Sequence, residues 1–305
     1  MSVTYLQKTQ EKMDSRITIA VCTFRRQSLF ETLTSFENLT DLQDFAINVV
    51  VIDNDETDQL RSEVEKFSEQ FKFPLGYVHA PAKNISIARN AALDAAQGRW
   101  LALIDDDETA EPQWLTKLME NKEGYEVVIG QCEAIYSEDM PAWLMRCDFH
   151  SNRLTGRTEN AYTSNALLDM DFIKSHDLRF RPELGKTGGE DTIFFRELSN
   201  LGGKIKYCPD SRVLEPVPPG RANMEWVKTR KFRSGQTHGL LCKDFDPQAY
   251  RMLFLSAGMK LLVCTVMTLL TIPGTYKSRG WWARAYLHAG ALSYRLKPTI
   301  LKEYA

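Results

Sequence analysis

The chain has 305 residues, 43% of them hydrophobic and 26% charged, which excludes wholesale disorder and fits one large α/β domain plus an appendage, or two small domains. A formal charge of -2 lacks the global basic signature of a nucleic-acid binder, so no nucleic-acid partner is expected. Six scattered cysteines contain no CxxC pair, which argues against a zinc ribbon or a disulfide scaffold and fits a reducing compartment.

Residues 1–15 are polar and read as a mobile tail. The opening MSVTYLQKTQEKMDSR has no apolar signal-peptide core, which keeps the catalytic part in the cytoplasm. ITIAVC (17–22) is a short, β-rich apolar run and predicts a buried strand. A helix follows, with Leu29, Leu33 and Phe36 at helical spacing and Thr23 or Ser28 to cap it. AINVVVID (46–53) predicts a second buried strand that ends on a carboxylate. A polar helix at about 57–71 and a third strand at 75–80 come next. NISIARNAALDAA (84–96) predicts a helix stopped by Gly98. WLALID (100–105) is a fourth strand that runs into three aspartates. A helix at 112–121 with Pro112 in its first turn and a strand at 126–136 complete a β-α-β-α-β-α-β-α-β alternation. That order predicts an α/β fold with a mostly parallel, Rossmann-like sheet and helices on both faces.

Residues 137–185 are irregular and suit an acceptor pocket. A helix follows Gly188-Gly189, and 203–216 reads as a strand and a turn. The stretch 253–272 carries one charge, Lys260, and is long enough to span a bilayer. The aromatic and basic residues from Tyr276 to Arg284 resemble an interfacial girdle. A buried pair of core helices is the other reading.

The candidate chemistry lies at strand ends, where ligands of such sheets bind. Asp105, Asp106 and Asp107 repel one another unless something positive sits among them. A divalent cation holding a diphosphate meets that need with hard oxygen ligands; a solvated acidic turn is the alternative. Asp53 either accepts hydrogen bonds from a base or ribose, or shapes its own turn. Arg89, beside Asn90, either neutralises phosphate or stacks on a base, or forms a surface ion pair. Glu190 and Asp191, after two glycines, offer a general base for an acceptor hydroxyl; Asp191 as a helix cap is the alternative. Arg230, Lys231 and Arg233 either clamp a leaving diphosphate or face lipid head groups, and His238 is a weak metal-ligand candidate.

Taken together, ITIAVCTFRR, VVIDND, SIARNAAL, LALIDDDE and GGEDTIFF, in this order, resemble glycosyltransferase family 2 over about residues 16–240. RKFRSG is similar to a relaxed form of the family's later (Q/R)xxRW element, with serine in place of tryptophan, which favours single sugar addition over processive polymer synthesis. The resemblance implies a GT-A fold, a nucleoside-diphosphate sugar donor and inversion at the anomeric carbon. It places Thr23, Asp53 and Arg89 at the nucleoside, Asp106 at the sugar or ribose and Asp105 with Asp107 as the DxD pair. Asp107 is then the ligand of Mg²⁺ or Mn²⁺, Arg230 and Arg233 are the diphosphate arginines, and Asp191 is the base with Glu190 beside it. The hydrophobic tail and GQTHG segment are similar to glucosyltransferases of succinoglycan-type exopolysaccharide assembly. That likeness implies UDP-glucose as donor and a polyprenyl-diphosphate-linked saccharide as acceptor. The expected organisation is a catalytic domain over 16–240 and a membrane-associated helical region over 241–305, on the cytoplasmic face of the inner (plasma) membrane. A nucleotidyltransferase is the rival enzyme, but the turn after the first strand has no glycine for a phosphate loop. A catalytically dead, nucleotide-sugar-binding membrane scaffold is the other rival.

Overall fold

The computed structural model describes residues 15–154 and 161–302; the expected N-terminal tail falls, except for Ser15, outside them. The chain divides into two compact units. The first is Met1–Glu133, Asn152–Lys186 and Glu190–Glu215, and the second is Ala134–Ser151, Thr187–Gly189 and Pro216–Ala305.

The first unit carries the sheet. Strand β1 (Arg16–Thr23) lies between β2 (Ala46–Asp53) and β4 (Trp100–Asp105), and β3 (Leu75–His79) pairs with β2, all parallel. Both faces are covered, as a parallel sheet requires. Ile17, Ile19 and Val21 point into a core shared with Leu29 and Leu33 of helix α1 (Leu29–Ser35) and with Trp114. Ala20, Leu101 and Leu103 join the opposite core with Ala88 and Ala92. The period-2 alternation of the strands thus feeds two apolar layers. Helix α2 (Arg61–Ser68) occupies the polar stretch between β2 and β3, and α3 (Ile85–Ala95) follows β3. Asn84 caps α3 by accepting the Ser86 and Ile87 N–H groups, at 3.1 and 3.3 Å.

Beyond β4 the sheet departs from the expected parallel order. After the two-residue β5 (Thr109–Ala110), helix α4 (Trp114–Glu120) starts beyond Pro112, so the proline precedes the helix instead of opening it. Strand β6 (Val127–Ile135) does not join β4. The position beside β4 is taken by β7 (Asn165–Asp169), from the stretch that reads as irregular, and β7 runs antiparallel to both β4 and β6. With helices α5 (Ala142–Cys147), α6 (Met170–Ser175) and α7 (Glu190–Asn200), and β8 (Ile205–Pro216), the order becomes β3-β2-β1-β4-β7-β6-β8-β5. The sheet is mixed.

Asn165 explains how the inserted strand is held. It is fully buried, accepts the Trp114 indole N–H at 2.8 Å and donates to the carbonyls of Gln131 and Ser211, both at 3.1 Å. One carboxamide therefore joins α4, β6, β7 and β8. Asn165→Ala strands a buried donor, and unpaired buried groups cost about 1–3 kcal/mol each. Destabilisation of roughly 2–4 kcal/mol is expected in urea unfolding, and a change under 1 kcal/mol would remove Asn165 from this role.

The second unit is mainly helical. It contains α5 and three long helices: α8 (Met224–Phe245), α9 (Pro247–Leu270) and α10 (Tyr276–Leu296). Helix α8 passes unbroken through residue 240. Its Gly235 lies against the Leu287 carbonyl, and Gly290 of α10 lies against the Phe232 carbonyl, so a Cβ at either position would overlap backbone. The two helices touch main chain to main chain there. Leu253 and Ala257 of α9 pack with Cys242 of α8 and Ala291 of α10.

Candidate active site

The site is built at the carboxyl ends of β1, β2 and β4. Thr23 pairs with Asp53 across β1 and β2, and Cys22 pairs with Asp105 across β1 and β4, so the three strand ends share one edge. Asp53 is 1% exposed. Its carboxylate accepts the Asp55 N–H at 2.9 Å and the Tyr77 hydroxyl at 2.6 Å. It thus braces the end of β2 and the turn that follows it. Asp55 forms a bidentate pair with Arg25.

The acidic turn is organised by groups on β1 and the turn after it. The Thr23 hydroxyl donates to Asp106 at 2.6 Å. The Arg26 guanidinium is in direct contact with Asp107 and 3.4 Å from Asp106. Burial pushes the Asp106 carboxyl up to about 7, against the pull of Arg26 and the Thr23 hydroxyl. Glu108, 1% exposed, accepts the Asp105 N–H at 3.0 Å, while its own N–H reaches the Asp105 carbonyl at 3.2 Å. It closes the turn from below, beside Cys132 and Glu215.

These residues fit a divalent cation. Three successive carboxylates supply hard oxygen donors, and a guanidinium already sits against two of them, which marks a position where positive charge is needed. Asp107, already against the Arg26 guanidinium, is the group expected to hold it.

Arg89 is not on the surface. Its side chain is 9% exposed, contacts Glu190 directly and lies 3.8 Å from Asp105. Against the cost of burial, Glu190 and Asp105 hold the guanidinium protonated. Burial pushes the Glu190 carboxyl up, and Arg89 pulls it back down. Arg89 therefore links the acidic turn to the start of α7 and fixes Glu190. Arg89→Met would leave a buried carboxylate without its cation, a loss of about 3–5 kcal/mol. The double variant Arg89→Met/Glu190→Gln is expected to regain part of it in a double-mutant cycle on urea unfolding; simple additivity would mean that the pair is not coupled.

Asp191 is half-buried next to this pair. Because α7 begins at Glu190, Asp191 sits inside the first turn and is not the cap residue. Its carboxylate accepts the Thr192 N–H at 2.6 Å. Gly188 and Gly189 precede it with φ of 77° and 89°, a left-handed backbone that favours glycine.

Asn90, read from the sequence as a substrate-binding candidate, is engaged by the chain itself. Its carboxamide donates to the Phe180 carbonyl at 2.8 Å and accepts the Phe180 N–H at 2.9 Å, so it pins the 180 segment to α3. Arg233, in the second unit, donates to the Thr187 carbonyl at 2.6 Å, and the exposed Arg230 lies over the Trp226 ring at 5.4 Å. His238 lies 3.7 Å from the Cys242 sulfur, one turn along the same helix.

Arg26, Tyr77 and Glu108 are site residues that the sequence reading passed over. Arg26 was open to discovery: it follows β1 by three residues, and β1 neighbours β4. Tyr77 and Glu108 gave no comparable signal.

The family model described as "Glycosyl transferase family 2" matches residues 18–176. The succinoglycan biosynthesis protein ExoM of Rhizobium meliloti is 40% identical over 296 residues, covering 94% of this chain and 95% of its own. The chain belongs to glycosyltransferase family 2. A second relative of this glycosyltransferase is the GalNAc(5)-diNAcBac-PP-undecaprenol beta-1,3-glucosyltransferase of Campylobacter jejuni, 32% identical over 125 residues, 38% of each chain. Among solved structures, a mannosyltransferase from Pyrobaculum calidifontis, in complex with GDP-Man and Mn²⁺, aligns with a TM-score of 0.62. It is 19% identical and covers 93% of this chain and 88% of its own, a likeness that carries the GT-A fold.

Proposed function

We propose that this glycosyltransferase moves glucose, with inversion, from UDP-glucose to a polyprenyl-diphosphate-linked saccharide during exopolysaccharide or cell-surface polysaccharide assembly, at the cytoplasmic face of the inner membrane. The observation that carries the catalytic reading is the chain of charges at the sheet edge. Asp107 and Asp106 face Arg26, Asp105 faces Arg89, and Arg89 holds Glu190 beside Asp191. This arrangement supports reading the turn as cation-binding and Asp191 as the general base. Its relation to ExoM and to a glucosyltransferase whose name includes a PP-undecaprenol acceptor supports the acceptor class and the polysaccharide context.

In the reaction, an acceptor hydroxyl oxygen attacks the anomeric carbon and the carbon–oxygen bond to the diphosphate breaks on the opposite face. Asp191 takes the hydroxyl proton, while Glu190 stays committed to Arg89. Thr23 and Asp106 line the donor side of the turn, and Asp53 fixes the loop that faces the nucleoside. Mg²⁺ or Mn²⁺ held by Asp107 would supply Lewis-acid stabilisation of the leaving diphosphate. Residues 241–305 are the membrane-associated part in this reading.

The test is to incubate membranes containing the protein with a panel of labelled nucleotide sugars and extract the lipid. Label from UDP-glucose is expected in a lipid-linked saccharide. Entry of another sugar alone would overturn the donor, and transfer of a nucleotidyl group would overturn the reaction.

A further inference from the structure

Helix α9 shows a split surface. Leu253, Ala257 and Cys264 are buried, and at about 100° per residue they form one narrow stripe. The opposite half of the helix is apolar and uncovered: Met259 is 65% exposed, Leu262 66%, Leu269 76% and Leu270 75%. By length and composition alone the helix could cross a bilayer, since its 24 residues rise about 36 Å.

What packs on its buried stripe argues against crossing. Helix α10 runs back along the whole of α9. Ser278 at its start donates to the Thr268 carbonyl at 3.4 Å, and Arg295 at its end lies over the Tyr250 ring at 4.8 Å. Between these ends α10 carries Arg279, Arg284 and His288. Helix α8, with Lys228, Arg230 and Lys231, touches α10 in turn through the glycine contacts. A spanning α9 would draw this charged layer into hydrocarbon, where a central Arg or Lys costs about 2.5–3.5 kcal/mol even on the mildest scale. Lying flat, α9 can bury its open face and keep the charges of α10 at the boundary between headgroups and water.

Charge points to the same occupant. Between residues 247 and 302 there are eight lysines and arginines and no aspartate or glutamate. Such a surface complements an anionic lipid headgroup layer, at about 1 kcal/mol for each basic residue near it. The α9–α10 turn adds aromatic–cation pairs suited to that layer, with Arg279 over the Trp143 ring at 4.4 Å and Arg146 over Tyr276 at 5.7 Å.

We propose that α9 lies in the plane of one leaflet of an anionic membrane, with its apolar face in the lipid, and does not span the bilayer. This rests on the membrane reading above and adds the topology. Two measurements separate the two claims. In flotation with purified full-length protein, vesicles containing phosphatidylglycerol are expected to carry the protein up. Leu262→Glu/Leu269→Glu is expected to lower the bound fraction at least about tenfold with unchanged donor hydrolysis. If wild type fails to float, or forms a lipid-free dimer that the double variant dissociates, the membrane itself is the wrong occupant. The second measurement labels Gln248→Cys and Pro273→Cys, at the two ends of α9, with a membrane-impermeant maleimide. Peptide mass spectrometry then separates these sites from the native cysteines. Both ends are expected to react in inside-out vesicles and neither in intact spheroplasts. Reaction of one end from the outside would overturn the in-plane topology while leaving membrane binding in place.

Discussion

Asp107→Ala is expected to lower sugar transfer by at least about 10³-fold, equivalent to roughly 4 kcal/mol of lost barrier reduction. The argument starts from the turn. Asp107 meets Arg26, and Asp105 is engaged by Arg89 and Glu108. Asp107 is thus the carboxylate whose partner can be exchanged with least disturbance to the buried frame. The leaving diphosphate gains negative charge as its bond to the sugar breaks, and nothing neutral can replace an anionic metal ligand there. Stability should hardly fall, because removing one of three like charges relieves repulsion. The measurement is transfer rate with and without EDTA, with thermal unfolding as control. EDTA should inactivate the wild type and Mn²⁺ or Mg²⁺ should restore it; full wild-type activity in EDTA would end the metal role of Asp107.

Asp191→Asn is expected to lower transfer by at least about 10²-fold, the lower end of general-base contributions. A carboxamide keeps the shape of the carboxylate but takes no proton. Donor Kd should change little, because Thr23, Asp53 and Asp107, the residues proposed for the nucleoside and the metal, lie at the ends of β1 and β2 and just beyond β4. Position matters in reading the result. Asp191 lies within the first turn of α7, so loss of its charge costs the helix only about 0.3–1 kcal/mol through the helix dipole. A larger loss of stability would signal a structural role. Glu190→Gln should act mainly on stability, because the charge it removes faces Arg89. If Glu190→Gln abolishes transfer and Asp191→Asn does not, the two carboxylates have exchanged roles.

The legible parts of the fold were those with an apolar run closed by a turn. ITIAVC, AINVVVID and WLALID each bury nearly every residue, so hydropathy alone marks β1, β2 and β4. Their polar end residues then point to the site edge. Strand β7 was invisible for the opposite reason. NALLD is five residues long, sits in polar surroundings and takes its place beside β4 through Asn165, a contact between distant segments. The glycines at 235 and 239 lie inside α8. A Cβ there would overlap Leu287 or Tyr294 of α10, a close approach between segments about fifty positions apart. The acidic turn and the Glu190-Asp191 pair were legible as motifs. The roles of Arg89 and Asn90 depended on partners at residues 190 and 180, about a hundred positions away, which no local pattern reveals.

The main-chain contact between α8 and α10 has a consequence for how the protein is made. Gly235 must wait for Leu287, and Phe232 for Gly290, so this closure comes only after α9 has been made. At about 5–20 residues per second, the interval between Leu270 and Leu296 leaving the ribosome is roughly one to five seconds. Chain collapse takes microseconds. For that interval α9 has only α8 against its inner stripe, and its apolar outer face is open to a chaperone or to lipid before α10 arrives.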